Sequence, residues 1–249
     1  LREVAFDQRL GAQVPLDIPF RDETGRSIRL GDLVSGRPVI LQLAYYQCPM
    51  LCPLVLNGLT SSLKPLSLDV GRDFDVVVVS IAPDETTALG AEKRREAISR
   101  YARPGTDAGF HFLTGSPESI RRLTSAVGFR YAFDEASRQY AHAAGVVLLT
   151  PEGKVSRYFF GAEFSPRDLR LGLIESTQRK IGTLADQLLL FCFHYDPANG
   201  RYTATALNTV RVGGALTVIA LVAFVVLSLR REQGKARAAA AAAAQGSRS

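Results

Sequence analysis

The sequence contains little sulfur, and several residue patterns that would indicate common site types are missing. Its 249 residues include only three cysteines, three histidines and one methionine. A structural zinc site uses four protein ligands, and no second close pair of cysteines is present to complete one. The chain also lacks a glycine-rich phosphate-binding loop and an internal repeat. These absences argue against a zinc finger, a nucleotide-binding protein and a repeat protein.

Basic residues are in excess but are not clustered in the body of the chain. The formal net charge is +6, yet lysine and arginine are scattered, apart from several in the last twenty residues. A basic surface for nucleic acid would concentrate them, so we expect no nucleic-acid partner. The hydrophobic fraction of 47% is enough for one sizeable core, which predicts one globular domain with accessory segments. Because the first residue is not Met, we expect a fragment or a processed chain, for example one without its secretory signal.

An uncharged apolar run occupies residues 212–229. A helix rises about 1.5 Å per residue, so this run would extend about 27 Å, near the thickness of the bilayer's hydrocarbon core. We therefore predict a single C-terminal transmembrane helix. The tail at residues 230–249 carries five basic residues and one acidic residue, whereas only Arg211 lies close on the other side. The positive-inside rule predicts a cytoplasmic tail and a globular domain on the periplasmic side of a bacterial inner membrane.

Strand and helix patterns alternate in the first part of the chain. Residues 37–46 and 73–83 contain near-continuous apolar runs, typical of buried strands, and a helical pattern follows each. A hairpin with a Pro-Glu-Gly-Lys turn and a helix capped by Ser165 come last. This order predicts an α/β protein of thioredoxin-like fold with a central mixed sheet. We assign residues 1–183 to this domain and residues 184–211 to a connector that leads to the C-terminal transmembrane helix.

The segment YYQCPMLCPLV, residues 45–55, contains two of the three cysteines. Cys48 is placed at the end of a predicted strand and Cys52 in the first turn of a predicted helix, at the sheet edge where open α/β folds bind ligands. The four-residue spacing would put both on one helical face, with α carbons about 6 Å apart, within disulfide range. The positive end of the helix should favour the thiolate form of both sulfurs.

Three interpretations of this cysteine pair stay open. It could form a structural disulfide, which an extracytoplasmic location permits. It could contribute to a zinc site, or it could be a reversible dithiol that exchanges electrons or binds a soft metal. Cuprous copper suits two thiolates and one imidazole, and its transfer to a partner would require an exposed site. This last interpretation needs a histidine close to the two sulfurs.

His142 is the best candidate for that third ligand. It precedes the first strand of the late hairpin, which in this fold returns beside the N-terminus of the first helix. His111 lies between two phenylalanines and is predicted to be a core strand residue. Cys192 and His194 alternate and could form a second copper-binding patch, but a buried cysteine within an interfacial aromatic cluster is the simpler interpretation.

Taken together, these residues resemble the Sco/SenC family. The similarity rests on CPMLCP after a hydrophobic strand, a histidine ninety positions after Cys52, and GVVLLTPEGKVSRYFFG following it. Sco/SenC proteins are membrane-anchored, thioredoxin-like copper proteins of respiratory oxidase assembly. The resemblance covers about residues 14–183.

The resemblance implies that Cys48, Cys52 and His142 bind a copper ion and that the cysteines are a redox-active pair. It implies delivery of copper to the dinuclear copper centre of cytochrome c oxidase, or reduction of that centre's cysteines. The expected partner is then the oxidase subunit that carries the copper centre, and the protein is a metallochaperone rather than an enzyme.

Other thiol chemistries remain as alternatives. The main one is a thiol-disulfide oxidoreductase acting on an extracytoplasmic cuproprotein. Three residues separate the cysteines, instead of the two of ordinary thioredoxin motifs, which argues against a general reductase. Thiol peroxidases usually have Thr or Ser three positions before the reactive cysteine, and this chain has Tyr45 at that position, which argues against a peroxidase.

Two features depart from the family pattern. The family's acidic stretch, commonly Asp-Pro-x-x-Asp, is here APDETT, in which Ala82 and Thr86 replace the two aspartates and Asp84 and Glu85 lie nearby. Partner contacts or metal tuning by those aspartates therefore do not carry over directly. The family's usual anchor is N-terminal, whereas the one predicted here is C-terminal, which suggests a subgroup with a removable signal and an inverted attachment.

Overall fold

The computed structural model of the chain describes residues 4–34, 36–178, 195–196 and 201–202. The strands, in chain order, are Ala5–Phe6 (β1), Pro19–Arg21 (β2), Ser27–Arg29 (β3), Val39–Ala44 (β4), Asp75–Ser80 (β5), Phe110–Leu113 (β6), Phe129–Asp134 (β7), Gln139–His142 (β8), Gly145–Leu149 (β9), Val155–Phe160 (β10), Tyr195–Asp196 (β11) and Arg201–Tyr202 (β12). The α-helices are Leu51–Leu63 (α1), Thr87–Tyr101 (α2), Pro117–Ala126 (α3) and Pro166–Thr177 (α4). Short 3-10 turns lie at Leu30–Asp32 and Asp107–Gly109.

A five-stranded mixed sheet forms the centre of the domain. Its strands lie in the order β10-β9-β4-β5-β6. The β4, β5 and β6 strands run parallel, as strands joined by helical crossovers do. The β9–β10 hairpin adds two antiparallel strands beside β4. The predicted α/β fold with a central mixed sheet is confirmed for the described residues.

The parallel strands are buried on both faces because their sequences are almost entirely apolar. Every residue of β4 and β5 is buried, including Gln42 and Asp75. Such continuous apolar runs are typical of strands covered by helices on both sides. The buried hydrophobic residues of this sheet and of the helices that cover it form one core.

The helix boundaries follow from capping residues. Ser165 caps α4 as predicted, and Ser116 caps α3, since each side chain accepts a hydrogen bond from a backbone N–H of the first turn, and Pro follows each serine. Thr86 caps α2 in the same way, through the N–H of Leu89. The α2 helix ends at Ala102, which adopts the left-handed conformation with φ of 54°.

A second, smaller sheet lies outside the predicted scheme. The β7 and β8 strands form an antiparallel hairpin, and β1 pairs with the other edge of β7. His142 pairs with Tyr131 at the end of this hairpin. This small sheet therefore positions the histidine, three residues before β9 begins at Gly145.

The predicted transmembrane helix at residues 212–229 lies outside the described residues, as do Cys192 and His194. Within the described ranges, no helix has the length and apolar character needed to cross a membrane. The β11 and β12 strands pair antiparallel, with Tyr195 opposite Tyr202 and Asp196 opposite Arg201. They belong to a unit, Leu188–Ser249, that is separate from the unit Leu1–Gln187.

Candidate metal centre

The loop at residues 45–50 joins β4 to α1 and carries Cys48. The β4 strand ends at Ala44 and α1 begins at Leu51, so Cys48 lies in the loop rather than at a strand end or on the helix. The prediction that helical spacing aligns the two cysteines is therefore wrong in its mechanism. A turn bends the loop instead, with the Cys48 N–H donating to the Tyr45 carbonyl at 3.3 Å. Cys52 does lie in the first turn of α1, as predicted.

Three side chains converge at this loop. The ligand atoms of Cys48, Cys52 and His142 all lie within 4.8 Å of one another. The Cys52 Sγ is 2.9 Å from the His142 Nε2, and the Cys52 N–H donates to the Cys48 Sγ at 3.3 Å. Both cysteines are free thiols. The structure thus brings together all three predicted site residues, while their role as metal ligands stays a prediction.

The His142 ring is oriented for ligation. Its Nδ1 lies 3.0 Å from the Ala143 carbonyl, which can only accept, so Nδ1 carries the proton. Burial lowers the pKa of His142, which favours the neutral ring. The unprotonated Nε2 then faces Cys52. A histidine whose second nitrogen donates to a backbone carbonyl is the usual arrangement of a metal-binding histidine.

The surroundings of Cys48 favour its thiolate. Burial opposes ionisation, but the backbone N–H groups of Cys52 and Met50 and the Tyr45 side chain donate to the sulfur. The balance holds the pKa of Cys48 below its ordinary value. Burial and the bond to Cys48 together raise the pKa of Tyr45.

Cys52 behaves in the opposite way. Burial raises the pKa of its thiol well above the ordinary value, and the neighbouring Cys48 charge adds to the effect. The prediction that the helix end would favour both thiolates is therefore wrong for Cys52. Its side chain turns toward the core, where loss of water outweighs the field of the helix end. The proton of Cys52 is directed at the His142 Nε2.

The site is buried, contrary to the expectation of an exposed one. Cys48, Cys52 and His142 are 9%, 5% and 9% exposed. The Tyr45 ring lies edge-on to the His142 ring, with centroids 6.1 Å apart. Apolar side chains at the surface flank the cysteines, since Met50 is 68% exposed and Leu54 is 51% exposed.

The acidic stretch after β5 contributes a residue whose role the sequence did not indicate. The Glu85 side chain is buried and accepts hydrogen bonds from the backbone N–H groups of Tyr46 and Gln47, both at 2.7 Å. Glu85 thus contacts the loop that carries Cys48. Thr86, at the position of the second family aspartate, caps α2. Gln47 and Glu85 are 38 residues apart in the chain, so no local sequence pattern predicts this contact.

His111 lies away from the site. It is part of β6, where it pairs with Val77 of β5, and burial lowers its pKa. The prediction that it is a strand residue of the core sheet is confirmed. Among the residues that the structure describes, Cys48, Cys52 and His142 are the one group of potential ligands close enough to hold a metal ion.

This donor set permits two kinds of chemistry. Two sulfurs and one imidazole nitrogen suit a soft ion such as cuprous copper, and a three-ligand set is sufficient for it. The two thiols are also close enough to form a disulfide after a small movement. Oxidation would remove both thiolate ligands at once, so metal binding and disulfide formation exclude each other.

Comparison with known proteins agrees with this arrangement. A family model described as SCO1/SenC matches residues 11–177. A candidate copper-binding protein of Stutzerimonas stutzeri is 25% identical over 142 residues, which cover 56% of this chain and 61% of that protein. This chain therefore spans less than two thirds of that relative.

Solved structures share the fold. The crystal structure of a candidate electron transfer protein from Aquifex aeolicus has a TM-score of 0.61 and 26% identity, covering 69% of this chain and 96% of that one. Copper-bound ScoI of Arabidopsis thaliana has a TM-score of 0.54 and 20% identity, covering 69% and 99%, a likeness of fold alone. Since the family model matches well over half of the residues, the chain belongs to the SCO1/SenC family.

Proposed function

We propose that this protein is a membrane-anchored copper-binding protein that delivers copper to the dinuclear centre of cytochrome c oxidase. The observation that carries the proposal is the convergence of two thiols and a correctly oriented imidazole within 4.8 Å. Membership of the SCO1/SenC family and the copper-related names of relatives support the choice of copper. The oxidase copper subunit as partner follows from the family resemblance.

In this proposal copper is the cargo, held by Cys48, Cys52 and His142. Two deprotonated sulfurs would bind the soft ion, and the Nε2 of the neutral His142 ring would supply the third ligand. Binding releases the proton that Cys52 carries in the metal-free protein. The buried position slows loss of the ion to water, and a partner takes the ion by exchanging its own thiolates for these ligands one at a time.

A second candidate function is reduction of a partner's disulfide, and the unlike pKa values of the two thiols favour it. The Cys48 thiolate would attack one partner sulfur and release the other as a thiolate. Cys52, deprotonated by the neighbouring His142, would then attack the Cys48 sulfur. The partner leaves with two thiols, and the Cys48–Cys52 disulfide takes over the oxidised state, so two electrons pass to the partner.

We further propose that the globular domain lies on the periplasmic side of a bacterial inner membrane. The support is the uncharged run at residues 212–229 and the basic tail that follows it. A copper centre of an oxidase that faces the same compartment would be within reach of a domain anchored in this way.

Metal analysis of the reduced protein tests the copper assignment. We expect one cuprous ion per chain, held in competition with a chromophoric chelator. Cys48→Ser and Cys52→Ser should each lower the affinity by at least roughly a hundredfold, because each removes a thiolate. His142→Ala should lower it by about tenfold to a hundredfold, since two thiolates remain.

His111→Ala is the matched control, because it removes a partly buried imidazole outside the site and should leave copper binding unchanged. Stoichiometric copper in the Cys48→Ser/Cys52→Ser double variant would refute the assignment. To separate the two candidate functions, the metal-free dithiol is mixed with an oxidised copper-centre domain. Rapid reduction of that domain without copper transfer would favour the reductase.

A further inference from the structure

We propose that Glu85 is a positioning residue that fixes the Cys48 loop for metal binding and for disulfide closure. This inference rests on the proposed function for its copper arm, but its disulfide arm is independent of copper. The residue itself does not touch the three ligand atoms. It acts through the backbone of the loop at residues 45–50.

The contacts of Glu85 hold two consecutive peptide groups. Its Oε2 accepts from the Tyr46 N–H and its Oε1 from the Gln47 N–H, both at 2.7 Å. The Ser80 hydroxyl donates to Oε2 at 2.6 Å. These distances are at the short end for charge-assisted bonds to a carboxylate. The N–H groups of the two residues that precede Cys48 are therefore held by a side chain from a different loop.

The Glu85 carboxylate is held in place by Ser80, a residue of the central sheet. Ser80 is the last residue of β5, and its hydroxyl also accepts from the Ala82 N–H at 3.1 Å. The Glu85 N–H donates to the Ala82 carbonyl at 3.3 Å, closing a tight turn before α2. Because β5 pairs with β4, Ser80 and the strand that leads into the Cys48 loop belong to one sheet, where Ser80 lies opposite Ala44.

The burial of Glu85 also points to a specific role. The residue is 8% exposed. In the part of the chain that the structure describes, no lysine or arginine forms an ion pair with it. A buried carboxylate without a cation costs stability unless hydrogen bonds compensate it. Here the compensating donors are the backbone N–H groups of Tyr46 and Gln47 and the Ser80 hydroxyl, so burial of this carboxyl group is compensated mainly by the Cys48 loop.

An ordered loop has a chemical consequence for the cysteines. In the reduced protein the two sulfurs already lie within 4.8 Å of each other and of His142. Fixing reacting groups in this way raises their effective concentration, for a shared metal ion and for each other. Release of the loop should therefore weaken copper binding and make the disulfide less stable relative to an external thiol pair.

Three variants and two controls test this inference. Glu85→Gln keeps the size of the side chain. Its amide NH₂ group, which replaces one carboxylate oxygen, is a donor and cannot accept a hydrogen bond from a backbone N–H. Glu85→Asp keeps the charge but is one methylene too short to reach both N–H groups. Ser80→Ala removes one of the carboxylate's three donors.

Asp84→Asn removes the same charge from the adjacent, exposed residue. Ser62→Ala removes a buried hydrogen bond to Phe164 at the far end of α1, which controls for stability loss.

The first measurement uses the metal-free protein in glutathione buffers. Each oxidised glutathione accepts two electrons and two protons from the thiols of Cys48 and Cys52. Their disulfide forms as the glutathione disulfide breaks into two thiols. We expect the equilibrium constant for closure to fall by roughly tenfold in both Glu85 variants and about threefold in Ser80→Ala. Asp84→Asn and Ser62→Ala should stay within about twofold of the parent.

The second measurement is cuprous ion affinity by chelator competition, where the same order of variants is expected. If the parent protein binds no copper, the proposed function fails, and the glutathione equilibrium still tests the role of Glu85. A closure equilibrium in Glu85→Gln and Glu85→Asp equal to that of Ser62→Ala would overturn the inference. If both Glu85 variants fail to fold, an unchanged equilibrium in Ser80→Ala overturns it.

Discussion

Cys48 and Cys52 are four residues apart, and yet their thiols ionise differently. Cys48 lies in a loop where two backbone N–H groups and the Tyr45 side chain offset the cost of burial. Cys52 is turned toward the core, where burial dominates. Cys48 is thus the more readily ionised thiol, whereas the Cys52 thiol faces the His142 ring and would have to pass its proton to that ring or to water before its sulfur could bind a metal ion.

This asymmetry predicts selective alkylation. With iodoacetamide near neutral pH, we expect Cys48 to react about tenfold or more faster than Cys52, because only the thiolate reacts. The Cys48 rate should level off at a lower pH than that of an ordinary cysteine, since its pKa is lowered. The Cys52 rate should still be rising at the highest pH at which the protein stays folded. Peptide mapping by mass spectrometry follows both residues.

Unfolded protein supplies the control, because both thiols should then react at similar rates. The Cys48→Ser variant shows Cys52 alone and removes the effect of one alkylation on the other. Faster alkylation of Cys52 than of Cys48 in the native protein would contradict the assigned roles.

At the residue scale, the sequence indicated which three side chains converge but not what surrounds them. Cys48 and Cys52 are visible in a rare motif, and His142 follows from its place before the late hairpin. The contact of Glu85 with the Cys48 loop depends on a register between two loops that no local pattern contains. Loss of water at Cys52 depends likewise on the direction in which its side chain packs. Both are properties of the assembled core.

The α1 helix places Cys52, and its position depends on close packing along its length. Gly58 lies where a Cβ atom would be 1.8 Å from the Ala162 carbonyl oxygen. The helix is therefore held against the segment between β10 and α4, which sets the position of its N-terminal turn.

Gly58→Ala should destabilise the domain, although alanine is the better helix former. Its propensity would contribute about 1 kcal/mol in favour, but the contact with a backbone oxygen forces α1 away, and overpacking costs about 1–3 kcal/mol or more. Because the clash is with backbone, we expect a cost near the upper end of that range and a net loss of roughly 1–2 kcal/mol in the free energy of unfolding, measured by urea titration, together with weaker copper binding.

Gly90→Ala is the matched control on α2. Its Cβ would meet the Phe112 carbonyl oxygen and the Tyr46 ring at 3.4 Å, an ordinary contact. We expect a change within about 1 kcal/mol, favoured by helix propensity. Equal stability of Gly58→Ala and the parent would mean that α1 is not held as closely as described.

Among the elements, the long runs were predictable and the small sheet was not. The β4, β5 and hairpin strands follow from continuous apolar runs. The β7–β8 hairpin was missed, although Phe129, Tyr131 and Phe133 alternate before the segment that turns at Arg138, which has φ of 55°. Its strands are partly exposed and carry charges, so the alternation was the remaining signal. This hairpin places His142, which makes it the most consequential omission.

At the scale of the molecule, the site is a product of the whole domain. The loops after β4 and β5 meet at the carboxyl edge of the parallel strands, and the small sheet supplies His142, ninety residues after Cys52. No single segment contains a working site. At the surface beside this buried group, Met50 and Leu54 form an exposed apolar border, and a partner that takes copper as proposed would have to approach there.

The proposed anchor gives the last prediction, which concerns the full-length chain in bacterial cells. We expect it to stay in the membrane fraction through an alkaline wash, because eighteen uncharged residues can span the hydrocarbon core. Val218→Arg combined with Val222→Arg should release it, since each arginine near the centre costs about 2.5–3.5 kcal/mol of insertion free energy. The same pair of changes placed at Ala240 and Ala244, in the tail, is the control and should leave the protein anchored.

Protease added to spheroplasts should digest the globular domain and spare a C-terminal tag, since the basic tail is expected to stay in the cytoplasm. Release of the parent by the alkaline wash would exclude the anchor, and digestion of the tag would reverse the proposed orientation.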